Sequence, residues 1–180
     1  MNRRRVAANS TLMLRSYSTG SASDQESIVI KKLKELQERS RLNPDSVIDR
    51  DLYKILCMRE TLEMAYQSLK SKPGQMTPGV NPETLDGMSS IVIDTIVEKL
   101  KSETFQFQPG RRVQIPKASG DGTRPLTIAS PRDKLVQEAM RMVLEAVYEP
   151  TFADYSHGFR PARSCHSALN MVKHQFQPVN

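Results

Sequence analysis

The chain has 180 residues, 38% of them apolar, no tryptophan and a net charge of +6, which fits one domain, or one domain with a basic arm, around a Leu, Ile, Val and Met core. No stretch approaches the roughly 18 consecutive apolar residues of a membrane span. Cys57 and Cys165 form no CxxC pattern, which argues against a zinc or disulfide framework and for buried thiols in a reducing compartment.

Residues 1–23 contain Arg3, Arg4, Arg5 and Arg15, several Ser and Thr, and no acid before Asp24. That composition predicts a mitochondrial targeting segment, against the plainer reading of a disordered basic arm. Without it the body carries only +2, so any argument for an anionic partner must rest on local patches. Residues 24–50 are predicted as a helical N-terminal extension, with Ile28, Leu33 and Leu36 on one side of a helix over 24–42 that Asn43-Pro44-Asp45 breaks.

A second helix is predicted from Asp51 to Lys70, and a loop from Pro73 to Pro82 contains Met76-Thr77-Pro78-Gly79-Val80-Asn81. A third helix spans Ser89 to Glu103. From Phe105 the pattern alternates through Phe107, Arg111, Val113 and Ile115, as in a half-buried strand. Pro116 to Thr123 reads as a turn in which Gly120 and Gly122 supply φ freedom, and Arg124–Ile128 as the returning strand of a hairpin. A strong helix follows from Pro131 to Tyr148, then a basic loop over 154–163 and a last helix from Ser164. Helices, one hairpin and more helices define an α+β class and not a βαβ repeat.

Between Gln108 and Lys134 the local net charge is +4. A hairpin sets Lys117 and Arg124 near its tip, where a guanidinium fork and a mobile ammonium make a clamp for a phosphate chain. The same cations also serve as guards on a solvated strand edge. His157, His166 and His174 lack a carboxylate in register for a metal site. Met58, Met64, Met140 and Met142 sit at core spacings, while Glu145 and Glu149 read as a solvated pair. No nucleophile triad or Walker loop is present.

Four segments, in order, resemble group II intron-encoded reverse transcriptase/maturases. Arg112-Val113-Gln114-Ile115-Pro116-Lys117, a Gly-containing turn and Arg124-Pro125-Leu126-Thr127-Ile128 resemble that family's first block. Asp133–Gln137 with Leu144–Phe152 resemble the helix that follows. Ser156-His157-Gly158-Phe159-Arg160-Pro161-Ala162-Arg163-Ser164 resembles the second block, and Met76–Asn81 the loop before the first. The likeness covers about residues 52–176.

The resemblance implies a partial right-hand polymerase, with residues 51–180 as part of a fingers domain whose hairpin packs with helices. It implies nucleotide triphosphate contacts at Lys117 and Arg124, and RNA contacts at Arg111, Arg112, Arg160 and Arg163, the last two along the template path. Such contacts position nucleic acid without reading its sequence. Polymerases of this class use carboxylate-held metal ions, so Mg²⁺ is expected for the complete family enzyme. The family's carboxylates come after its second block. This chain has no Asp beyond Asp154 and no Asp-Asp pair, so no catalytic or metal-binding residue is expected on it and no cofactor on this chain alone. The implied function is to bind group II intron RNA in support of splicing and to contribute the fingers of an RNA-directed DNA polymerase, completed by a second polypeptide or downstream domain. The alternative is a catalytically inactive RNA-binding or ribonucleoprotein assembly protein derived from such an enzyme. The last helix is expected to leave Leu169 and Val172 without partners.

Overall fold

The computed structural model describes residues 27–74 and 76–176; the predicted arm and residues 24–26 lie outside them. The described chain divides into two compact units. One runs from Arg50 to Val143. The other combines the residues up to Asp49 with those from Leu144 onward.

In the Arg50–Val143 unit, α2 (Leu52–Leu56) and α3 (Arg59–Lys70) replace the single helix predicted over 51–70. No Pro or Gly marks the break. Met58 takes extended backbone, φ −74° and ψ 133°. Thr61, fully buried, turns its hydroxyl back onto the Ile55 carbonyl at 2.6 Å. That bond adds a second donor to a carbonyl that also accepts the Met58 amide at 3.2 Å, and so fixes the turn where α2 stops. A 3₁₀ turn (Leu85–Gly87) leads to α4 (Ser90–Lys101), whose N-cap Ser89 accepts from the Val92 amide. The helix stops at Lys101, two residues short of the predicted end, and Glu103, at φ 56°, carries the backbone out of the helical region. Tyr53 donates its hydroxyl to the Leu100 carbonyl at 2.6 Å and ties α2 to the last turn of α4.

The only sheet among the described residues is the antiparallel pair β1 (Arg111–Pro116) and β2 (Thr123–Ile128). Arg111 pairs with Ile128, Val113 with Leu126 and Ile115 with Arg124. The alternation predicted from Phe105 does not pair before Arg111. The reason lies on the partner strand: two residues after Ile128 the chain becomes the N-cap of a helix, so nothing remains opposite 105–110. At the tip, Gly120 and Gly122 both adopt φ 77°. The predicted turn needs two glycines because a Cβ there meets the left-handed penalty.

Helix α5 (Pro131–Tyr148) matches its predicted bounds. Ser130 caps it by accepting from the Asp133 amide at 3.2 Å, and Pro131 takes the first helical position, where no amide partner is required. Leu135, Val136, Ala139, Met142 and Val143 are buried along its core face. Glu138 lies among them, only 7% exposed. Its carboxylate accepts from Ser68 at 2.6 Å, Lys72 at 2.9 Å and both nitrogens of an Arg141 fork. Burial pushes its pKa up, but the bonds from Arg141, Ser68 and Lys72 outweigh that and hold it down at about 2.

In the other unit, α1 (Ile28–Leu42) buries Val29, Ile30, Leu33 and Leu36. Ser40, also buried, donates to the Val147 carbonyl at the end of α5. A 3₁₀ turn (Glu149–Thr151) follows, then a loop, then α6 (Cys165–Gln175), closed at its start by a reciprocal Ser164–Ser167 capping box. Helix α6 buries no residue, and Leu169 and Val172 are exposed. Of the methionines expected in the core, Met142 is buried, Met58 and Met64 are half-buried and Met140 is exposed.

Glu138→Gln is expected to lower stability at neutral pH by on the order of 2–3 kcal/mol, since it removes the charge that three donors converge on. The folded pKa of about 2 lies below the usual 4.5. The wild-type contribution is therefore complete above about pH 5 and fades as the pH falls toward 2. Denaturant melts across that range should show the two proteins converging at acid pH; a constant gap would contradict the assignment.

Candidate nucleic-acid interface

The basic hairpin stands on a small polar junction. Asp133, 2% exposed, accepts the Gln108 amide at 3.0 Å and fixes where β1 leaves the helical part of the unit. The Thr77-Pro78-Gly79 segment lies against the same place. A Cβ on Gly79 would sit 2.8 Å from the Ser130 Cα, so only glycine lets the two backbones approach this closely. Two of the basic residues hold that segment: Arg111 donates to the Pro78 carbonyl at 3.2 Å and Lys134 to the Thr77 carbonyl at 3.1 Å. Burial, and then the Arg111 charge, lower the Lys134 pKa. Arg132 forks onto Glu83 at 3.1 and 3.2 Å.

These anchors separate the cations of this stretch into two groups. Arg111, Arg132 and Lys134 are engaged at the base. The side chains of Arg112, Lys117 and Arg124 are exposed and have no hydrogen-bonded or ionic partner among the described residues. Register assigns their faces. Arg124 stands opposite Ile115, and Lys117 donates its amide to the Gly122 carbonyl at 3.1 Å, one pleat repeat further toward the tip. Residues two apart on a strand share a face, so Lys117 and Arg124 project from the same side. Diagonal neighbours on such a face are about 7–8 Å apart, a span that two long cationic side chains close around a polyphosphate. Arg112 belongs to the opposite face, beside Gln114.

The second basic segment is built differently. Arg160 is 8% exposed. Its guanidinium forks onto the Glu149 carboxylate at 2.8 and 3.1 Å and donates to the Ala153 and Ser156 carbonyls, each at 2.9 Å. It also lies 5.1 Å from the centre of the Phe152 ring. Glu149, read from sequence as solvated, is instead the half-buried partner of this arginine. The pairing has no local sequence signal, because the two are 11 residues apart across an irregular loop. Arg163 is half-buried and bonds to the Asp154 carbonyl, with the carboxylate 3.8 Å away. His157 shares its Nδ1 with Ser167 at 2.8 Å, and its Nε2 is buried without a partner among the described residues. Phe159 and Ala162 take left-handed backbone, φ 56° and 54°, a conformation that costs non-glycine residues about 1–3 kcal/mol and persists where the surroundings enforce it. Phe159 projects into solvent, and so does Tyr155.

The described residues contain no group of three or more His, Cys, Asp or Glu able to hold a metal ion, and no helix long and apolar enough to cross a membrane.

The chain shares extensive sequence with proteins encoded inside introns. It is 58% identical over 165 residues to the uncharacterized 91 kDa protein in the cob intron of Schizosaccharomyces pombe, an overlap of 91% of this chain and 20% of that protein. It is 44% identical over 144 residues to the group II intron-encoded protein LtrA of Lactococcus lactis, 80% of this chain and 24% of the relative. Nuclear intron maturase 4, mitochondrial, of Arabidopsis thaliana is 31% identical over 122 residues, 67% of this chain and 14% of the relative. No family model matches. The chain belongs to the group II intron-encoded reverse transcriptase/maturase family, and it spans about a quarter or less of the length of these relatives.

Replacing Arg160 with Met is expected to leave the Glu149 carboxylate and the Ser156 carbonyl without the donor they share, while the Ala153 carbonyl keeps the Ser156 amide. Breaking a buried pair from one side costs about 3–5 kcal/mol. Thermal melts of the variant, with Arg124→Met as an exposed control that shifts little, check this.

Proposed function

We propose that this chain contributes the fingers portion of a group II intron-encoded reverse transcriptase/maturase and binds intron RNA in support of splicing. The observation that carries the reading is the hairpin. Lys117 and Arg124 lie on one face, exposed and without a partner among the described residues, while neighbouring cations are engaged at its base. That arrangement suits the triphosphate of an incoming nucleotide, because it supplies a bidentate fork and a point charge from a rigid support. Arg112 on the other face and Arg163 in the second segment suit phosphate contacts that position RNA. Arg111 supports the first by holding the 77–79 segment at the hairpin base, and Arg160 supports the second by holding the loop that carries Arg163. In the complete enzyme, Mg²⁺ would be supplied through carboxylates outside this chain, on a second polypeptide or further domain. Residues 51–180 would form the fingers part and 24–50 the helical extension. Residues 1–23 would act as a mitochondrial address, in keeping with a relative named as a nuclear, mitochondrial intron maturase.

Binding of structured RNA should weaken steeply with salt. Changing both Arg112 and Arg163 to Ala should weaken binding across RNA sequences alike and reduce the salt slope by about one per lost contact. Titration of a labelled deoxynucleoside triphosphate should show at least about a tenfold loss when Lys117 and Arg124 are both changed to Ala. Unaltered triphosphate affinity would remove the hairpin assignment. The polymerase half of the reading is tested by primer extension with this chain plus a polypeptide bearing the family's carboxylate motifs; no product on a primed template with Mg²⁺ would refute it.

A further inference from the structure

Phe159 is the most exposed large apolar residue described, at 112% relative exposure. Three features make this a built position. First, the left-handed backbone falls on Phe159 at φ 56° although a glycine, Gly158, stands beside it and does not take it. Second, the next residue is the Arg160 anchor, whose guanidinium ties both ends of the turn to Glu149, Ala153 and Ser156, so the strained conformation is fixed from below. Third, the stretch from Tyr155 onward adds no acid of its own, the carboxylates near it being Glu149 and Asp154, which pair with Arg160 and Arg163. From Tyr155 to Gln175 there is no acidic residue, whereas Arg160, Arg163, Lys173 and three histidines fall within that stretch. Tyr155 adds a second outward ring, 79% exposed, four residues earlier.

We propose that this loop presents Phe159 as a stacking platform for an unpaired base of single-stranded nucleic acid, with Tyr155 as a flanking ring. The proposal rests on the nucleic-acid reading above and adds to it the base-contacting element, since the phosphate contacts there involve no base. An aromatic presented outward from an anchored turn is what stacking on single strands requires, and stacking tolerates any base because each has a π face. Arg160 is then a positioning residue that sets the ring through the turn.

The chain has no tryptophan, so Phe159→Trp installs a sole indole reporter. With the full 180-residue chain and unstructured ribo- and deoxyribo-oligonucleotides, indole emission of that variant should quench on binding while affinity is kept. Phe159→Ala should bind about tenfold more weakly, with an unchanged salt slope because no ion contact is lost. Phe159→Leu should match Ala, and thermal melts of all three should overlay wild type. Wild-type affinity in Phe159→Ala or Phe159→Leu would overturn the stacking assignment and leave the phosphate contacts standing. Loss of self-association in Phe159→Ala with unchanged nucleic-acid affinity would make the ring a protein contact and equally overturn it. No binding of any oligonucleotide by the wild-type chain would remove the underlying reading as well. A larger loss for RNA than for DNA supports the platform and assigns its strand type.

Discussion

The hairpin unit depends on one buried carboxylate. Asp133 holds the amide of Gln108, and the turn of helix that carries Asp133 is itself capped by Ser130, against whose backbone Gly79 is pressed. Three chain segments distant in sequence therefore meet at one helix start. A two-stranded ribbon alone is marginal in water; here its base is fastened to a helix whose core face is buried. The polar bonds there replace the apolar contacts that the exposed β2 strand lacks.

Lys117 and Arg124 can stay exposed because other cations do the fastening. Arg111 and Lys134 donate to backbone carbonyls of the 77–79 segment, and Arg132 holds Glu83. The second segment divides the work in the same way: Arg160 is buried in the service of the loop, and what the loop offers to solvent is aromatic. A count of basic residues would treat all of these alike. Their burial shows that guanidinium groups act as internal struts as often as external contacts, as their fixed fork geometry favours.

Much of the fold was legible in the residues. The bounds of α5 follow from Ser130-Pro131 and its regular apolar spacing, and the hairpin follows from β alternation around two glycines. What could not be read depends on contacts distant in sequence. The break at Met58 is stabilised by Thr61, a residue that propensity treats as an ordinary helix member. The early end of β1 pairing is set by where the partner strand runs out. At Glu138 a signal did exist: it lies three residues after Leu135 and four before Met142, on the apolar stripe. A carboxylate in that register demands buried donors. The Glu149–Arg160 pair carried no such spacing signal. Of the candidate site, the residue types and the hairpin placement were visible, but which arginines are engaged and which project was not.

The ribbon's two prolines have a consequence of their own. Lys117 and Gly122 share a backbone hydrogen bond, so pairs two residues along, such as Ile115 with Arg124, fall on bonded positions and those between them on non-bonded ones. Pro116 and Pro125 both occupy the latter, where an amide would point away from the partner strand. Neither proline disturbs the pairing, and each deletes a donor from an outer edge. The ribbon is thereby blunted on both sides against recruiting a further strand, a common route by which bare hairpins aggregate. Whatever docks on it must be recognised by side chains and not by main-chain zippering, which suits a polyanion that has no strand to offer.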